Sequence, residues 1–253
     1  MAITSYLYQI LIFLKKKELI SFGKTNTILE IGEQNWYGDV SFQDLKKAID
    51  NNSDNKNKEI LKRKLNEITT LTELGKDPKN FAFDTAKIFY KMIFDYKEYL
   101  ALDLQGSDSS INFDLNKEYK DVKKYDVVTN IGTSEHIFNQ LAVFKTIHDA
   151  TKAKGLIIHQ LPGQGYYDHG FYNYQPTFFF DLAKANNYRM IGFWMYDNNK
   201  KKLIDIHSRE NYRKIFDREN HPTYYDNIVI YKLPDKKEEE FKLPIQYIYS
   251  KTN

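Results

Sequence analysis

Short apolar runs that each end in polar turn residues constrain this chain's fold more than any other feature. "TILEIG" (27–32), "YLALDL" (99–104), "YDVVTNIG" (125–132) and "KGLIIHQLP" (154–162) have the length and the β-branched or aliphatic content of buried strands, the pattern of a parallel sheet covered on both faces. Between the last two lies "SEHIFNQLAVFKTIHDATKA", where Ser134 is placed to cap a helix carrying Ile137, Leu141, Phe144 and Ile147 at helical spacing. That is a strand–helix–strand crossover. Alternating strands and helices predict an open, mostly parallel α/β sheet, and such sheets bind ligands beyond the carboxyl ends of their strands.

After Pro176, "TFFFDLAKANN" reads as a helix with the proline in its first turn, followed by the strands "YRMIGFWMY" and "NIVIYKL" (227–233). No long helix separates these two strands, which predicts an antiparallel edge. The charged excursion between them (197–226) holds "SRENYRKIFDREN", a candidate short surface helix. Residues 37–97 interrupt the first crossover with a helical insertion or lid, part of which could serve as the crossover helix itself; its "NNSDNKNK" spacer (51–58) reads as a mobile loop. The aromatic stripe of Phe81, Phe83, Phe89, Tyr90 and Phe94 within it reads as core. The chain is otherwise expected to be a single domain over 1–253.

Charge and cysteine content narrow the function classes. Lys and Arg total 37 against 34 Asp and Glu, and the charges are interspersed, so nothing calls for a nucleic-acid partner. With no cysteine, disulfides, thiolate nucleophiles and cysteine-held metals are excluded, and a cytoplasmic location is favoured. The apolar run Tyr6 to Leu14 is too short to span a bilayer, so no stable membrane insertion is expected. It reads as a helix packed on the domain, with Lys15, Lys16 and Lys17 in its solvated C-terminal half. A small molecule is the expected partner, and a homodimer is open.

The polar residues at the strand ends suggest a nucleoside. Glu30 ends the first strand and Gly32 turns the chain, while Asp103 ends the next strand, where a carboxylate can take both hydroxyls of a ribose. "GEQNWY" lacks the later glycines of G-x-G-x-x-G, so a dinucleotide pyrophosphate fits poorly and a phosphate-free nucleoside fits better.

On these residues the chain resembles the class I S-adenosylmethionine-dependent methyltransferases over roughly 26–36 and 98–233. "LEIGEQN" is similar to their first motif, with Glu30 and Gly32 matching and Gln34 standing in place of the second glycine. The resemblance implies a Rossmann-like, mostly parallel seven-stranded sheet with an antiparallel terminal strand, and S-adenosylmethionine as cofactor. It implies cofactor contacts from Glu30, Gly32, Glu33, Gln34, Asp103, Leu104 and Asp114. It also implies that backbone at Asn130, Ile131 and Gly132 lines the methionine end, with Glu135 and His136 beside it. Asp103 follows Glu30 at far more than the about 20 residues usual for such folds, and the helical insertion accounts for the difference.

The loop "HQLPGQGYYDHGFYNYQPTFF" (159–179) mixes polar groups with aromatic walls, the composition of a small-molecule pocket. Tyr166, Tyr167, Tyr172, Asn173 and Gln175 are the candidate substrate contacts. His169 is the first candidate for a general base with Asp168 as its orienter, and His159 the second, since an imidazole titrates near neutral pH. A metal site from His159, Asp168, His169 and Glu135 is conceivable, but no tight ligand spacing supports it and none is expected. "HGFYNYQPTFF" is similar to stretches in methyltransferase-like proteins, some linked to surface-sugar modification. The expected activity is therefore methyl transfer to a small polar acceptor, such as a sugar or sugar-nucleotide-type metabolite of surface polysaccharide synthesis. A nicotinamide-dependent (NAD(P)) oxidoreductase and a non-catalytic nucleoside-binding protein are the alternatives.

Overall fold

The computed structural model describes residues 2–20, 26–76, 78–120, 123–236 and 240–249. The strands are β1 (Ala2–Ile3), β2 (Thr27–Ile31), β3 (Asn35–Trp36), β4 (Glu98–Asp103), β5 (Ser110–Asn112), β6 (Tyr125–Ile131), β7 (Thr151–Gln164), β8 (Arg189–Asp197), β9 (Lys202–Asp205) and β10 (Tyr225–Lys232). The helices are α1 (Ser5–Lys16), α2 (Phe42–Asn52), α3 (Asn55–Glu73), α4 (Pro78–Phe94), α5 (Gln140–Ala150), α6 (Pro176–Ala185) and α7 (Arg209–Ile215). Eight strands form one mixed, mostly parallel sheet in the order β5-β4-β2-β6-β7-β10-β8-β9. Two compact units divide the chain, residues 1–28 with 32–112 and residues 29–31 with 113–253.

In the first unit, β5 lies parallel to β4, pairing Ala101 with Ser110 and Asp103 with Asn112. Each of the helices α1, α2 and α3 starts where a short polar side chain accepts a backbone N–H of the first turn: Thr4 from Leu7, Ser41 from Asp44 and Asp54 from Asn57. Asp54 explains why the Asn/Lys-rich spacer is not the expected mobile loop. Its cap lets α3 begin at Asn55, leaving only Ser53 and Asp54 between two helices. Lys15 also departs from expectation, since its ammonium donates to the carbonyls of Ile93, at 3.1 Å, and Met92 instead of reaching water. It thereby satisfies carbonyls left open at the C-terminal end of α4. The aromatic stripe of α4 is core, with Phe83, Phe89, Tyr90 and Phe94 all buried.

In the second unit β6 runs parallel to β7, with Asn130 opposite His159, and β10 runs antiparallel to both β7 and β8. The antiparallel strand is therefore internal rather than at the edge. Ile228, Val229, Ile230 and Tyr231 are all fully buried, as befits a strand covered on both faces of the sheet. The edge is β9, a strand within the charged excursion that brings the sheet to eight strands instead of seven. Lys202 at its start suits an edge exposed to water. Helix α5 begins at Gln140 rather than at Ser134. Asn139 caps it by accepting from Ala142 N at 3.2 Å, while Ser134 opens a separate 3-10 turn, Ser134–His136.

Gly163 and Gly192 keep the antiparallel region closely packed: a Cβ built on Gly163 would lie 1.9 Å from the Tyr225 ring and one on Gly192 2.0 Å from the Trp194 ring. Gly163→Ala is expected to lower stability by about 1–3 kcal/mol through overpacking. Adding Tyr225→Leu should recover part of the loss, and urea denaturation midpoints of the single and double variants measure both effects.

Candidate active site

In the first unit, the turn after β2 is built around Gly32, whose φ of 77° suits glycine and whose N–H donates to Leu102 O at 2.8 Å. This bond brings the turn to the end of β4, where Asp103 accepts from Glu33 N and Gln105 N, both at 2.8 Å. Glu33 and Gln34 are fully buried and turn back on the protein. The Gln34 amide donates to Gly32 O at 2.7 Å, and the Glu33 carboxylate takes Ser107 N at 2.5 Å, Ser107 Oγ at 2.8 Å and the Lys87 ammonium at 2.9 Å. Gly106 makes room for it, because a Cβ there would stand 2.8 Å from Glu33 Oε2. Side chains thus brace a turn that lacks the usual glycines. Glu33, named as a cofactor contact, has its carboxylate committed to this bracing, and Leu104 is exposed beside it.

The fit of an adenosyl group can be judged at Asp103. Each of its oxygens accepts one backbone N–H, and an ionised carboxylate has about four acceptor positions, so two remain for the hydroxyls of a ribose.

In the second unit, Glu30 is fully buried and Gly132, with φ 60°, donates its N–H to Gln160 O at 2.9 Å. The Thr133 hydroxyl donates to Ile31 O at 2.6 Å. Asn130 organises the following turn, accepting Ser134 N at 3.2 Å and placing its amide 3.0 Å from Ser134 Oγ and 3.2 Å from His159 Nδ1. Asp114 accepts the Asn116 backbone and side-chain amides, both at 3.0 Å. The Asn116 backbone N–H is the main cause that holds its carboxyl below the ordinary carboxylate range.

The loop after β7 folds onto Glu135. Phe171 N and Tyr172 N both donate to the Glu135 carbonyl, at 2.7 and 3.2 Å, and Gly170 lies so close that a Cβ would be 2.9 Å from that oxygen. Tyr172 OH donates to Phe138 O at 2.9 Å, and buried Tyr174 reaches Ser134 Oγ at 3.0 Å and Gln140 Oε1 at 2.6 Å. Held this way, His169 Nε2 stands 3.7 Å and His136 Nε2 3.9 Å from Glu135 Oε1, with the two imidazole rings 4.9 Å apart. The Glu135 side chain is 1% exposed, and neither carboxylate oxygen has a hydrogen-bond partner among the described residues. Burial pushes its pKa up to about 7, and burial followed by the neighbouring His169 lowers that of His136. The Tyr166 ring lies 5.2 Å from His169 and is anchored through its hydroxyl to Asp226, which also accepts from Asn198 at 3.0 Å.

The predicted chemistry-bearing residues therefore separate. Glu135, His136, His169 and Tyr166 come together. Asp168 is exposed at φ 51°, and the carboxylate facing His169 is that of Glu135 instead. His159 is fully buried beside Phe144, Phe179 and Tyr231, and burial pushes its pKa down to about 3. It remains neutral and inside the sheet, where an acceptor base is of no use. Tyr167 and Asn173 are exposed, and Gln175 lines a cavity of about 420 Å³ with Gln164, Tyr212, Phe216, Arg218 and His221. Sequence reasoning missed Lys87, Ser107, Asn198 and Asp226. No local pattern marks them, because each works through a partner distant in sequence.

A Rossmann-like sheet in this strand order, with a glycine turn after β2 and an acid at the end of β4, defines a class I methyltransferase fold. Residues 42–221 match the family model described as a methyltransferase domain, which is more than half of the chain. The chain belongs to that family, an enzyme that methylates, and the oxidoreductase and non-catalytic alternatives fall away. No curated protein matches it. Among solved structures it is similar to TehB from Haemophilus influenzae, at 7% identity and TM-score 0.48, covering 91% of this chain and 63% of that one. It is also similar to the N-methyltransferase NodS from Bradyrhizobium japonicum in complex with S-adenosylhomocysteine, at 9% identity and TM-score 0.46, covering 90% of this chain and 86% of that one. No helix among the described residues is long and apolar enough to cross a membrane.

Two outcomes test this geometry. Lys87→Met, which strands the buried Glu33 carboxylate, is expected to destabilise by about 3 kcal/mol, and Glu33→Gln added to it should recover part of that in urea melts. His159 binds a proton below pH 6.5 when unfolded but only near pH 3 when folded. Its contribution to stability is complete above pH 6.5 and lost as the pH falls from there towards 3. Between pH 8 and 5, wild-type stability should therefore drop by about 2 kcal/mol more than that of His159→Asn.

Proposed function

We propose that this chain transfers the methyl group of S-adenosylmethionine to a hydroxyl of a small polar acceptor, of the sugar or sugar-nucleotide type used in surface polysaccharide synthesis. The observation that carries the proposal is the convergence of His169 and His136 on the buried Glu135 carboxylate beside the Tyr166 ring. Tyr167 and Phe171, both exposed on the same loop, offer the flat apolar faces on which sugar C–H groups stack, with Asn173 as a polar contact. The lack of cysteine supports work in a reducing compartment such as the cytoplasm.

When bound, the cofactor supplies an electrophilic methyl group on a sulfonium. Asp103 and the backbone of the Gly32 turn would hold its ribose. His169 Nε2 would take the proton of the acceptor hydroxyl as the cofactor's methyl group is transferred to the oxygen. Glu135 lies close enough to stabilise the imidazolium that results. Tyr166, fixed by Asp226, limits water on one side of the imidazole.

Calorimetry with S-adenosylmethionine and transfer of a radiolabelled methyl group to a panel of sugars and nucleotide sugars test the proposal. Asp103→Ala should weaken cofactor binding at least about tenfold. His169→Ala should leave that affinity unchanged and lower kcat by about 100-fold. A folded chain that binds cofactor and methylates none of the panel refutes the sugar assignment, and a kcat unaffected by His169→Ala refutes the base.

A further inference from the structure

The Glu135 carboxylate poses a problem that a hydroxyl acceptor alone does not solve. Its side chain is 1% exposed, and no hydrogen-bond donor among the described residues reaches either oxygen. Such a group is costly to bury without a partner. The two imidazoles nearest to it, at 3.7 and 3.9 Å, stand too far for hydrogen bonds but aim their Nε2 atoms at the same oxygen.

We infer that Glu135, His136 and His169 form a binding site for one divalent transition-metal ion. One ligand atom from each of the three lies within 4.8 Å of the others. With metal–ligand bonds of about 2.0–2.2 Å, ligand atoms around a tetrahedral ion sit about 3.4 Å apart, so the Glu–His separations need to close by only a few tenths of an ångström. Two imidazoles and a carboxylate suit zinc or iron(II), and three protein ligands leave coordination positions open for a substrate. The scaffold is set without the ion. His136 follows Glu135 in one 3-10 turn, and the amides of Phe171 and Tyr172, two and three residues after His169, are fastened to the Glu135 carbonyl. The exposed side of both histidines, 42% and 43% accessible, gives the ion a way in.

The site deepens the proposed function and rests on it only for its consequence. An ion there would bind the acceptor oxygen and make its hydroxyl more acidic, as zinc does for bound water. With the ion bound, the hydroxyl proton would leave to solvent water and His169 would be a ligand; the base role assigned above belongs to the chain without the ion.

The test uses the untagged chain, dialysed against chelator and titrated with Co²⁺ alone, followed by visible absorption and calorimetry in the absence of cofactor and acceptor. One equivalent of Co²⁺ per chain with a visible ligand-field band is expected. His169→Ala, at an exposed loop position, should weaken binding at least about tenfold, and Glu135→Gln should do the same. Circular dichroism verifies that both variants fold. Absence of a stoichiometric band, or binding that survives both substitutions, overturns the site. Because the titration contains no cofactor, its failure leaves methyl transfer intact, and failure of cofactor binding leaves the metal site intact.

Discussion

The buried carboxylate of Glu33 governs the part of the fold where the first central strand ends. A turn with a single glycine has little backbone freedom to wrap a ligand, and here its shape is held by charge-assisted bonds from Ser107 and from Lys87. Lys87 belongs to α4, and α4 to the helical segment that separates β2 from β4. The insertion is therefore no passive addition to the sheet. It supplies the cation without which the turn would hold an unpaired buried charge.

A comparable economy operates in the second unit, where Glu135 uses both ends of its residue. Its carbonyl receives two amides from the loop after β7, and its carboxylate faces the histidine that the same loop carries. Anchoring and chemistry are thus coupled through one position, so the loop cannot shift without changing the distance between His169 and the acid. Burial in a site of low polarity raises the acid's pKa and strengthens every interaction it makes.

Much of the sheet was legible in the sequence because strands buried on both faces carry apolar runs, as Ile28 and Leu29 of β2, Val127 and Val128 of β6, and Leu156, Ile157 and Ile158 of β7 show. The place of β10 was not. Its apolar run was visible, but strand order depends on which partners its two edges meet, and nothing local records that. The start of α5 is not legible locally, because Ser134 and Asn139 are both good caps and the choice falls to Asn130, which draws Ser134 into a different turn. Among site residues, Gly32 and Asp103 stand out by their position at strand ends. The partnership of His169 with Glu135 instead of its neighbour Asp168 arises from a loop folding back over more than thirty residues.

The paired amides on the Glu135 carbonyl carry a dynamic consequence. Phe171 and Tyr172 exchange their protons with solvent only when the loop lifts from the 3-10 turn, and that same opening takes the imidazole away from the acid. Amide exchange at these two positions is thus a clock for how often the chemical centre comes apart, readable residue by residue on a chain with nothing bound.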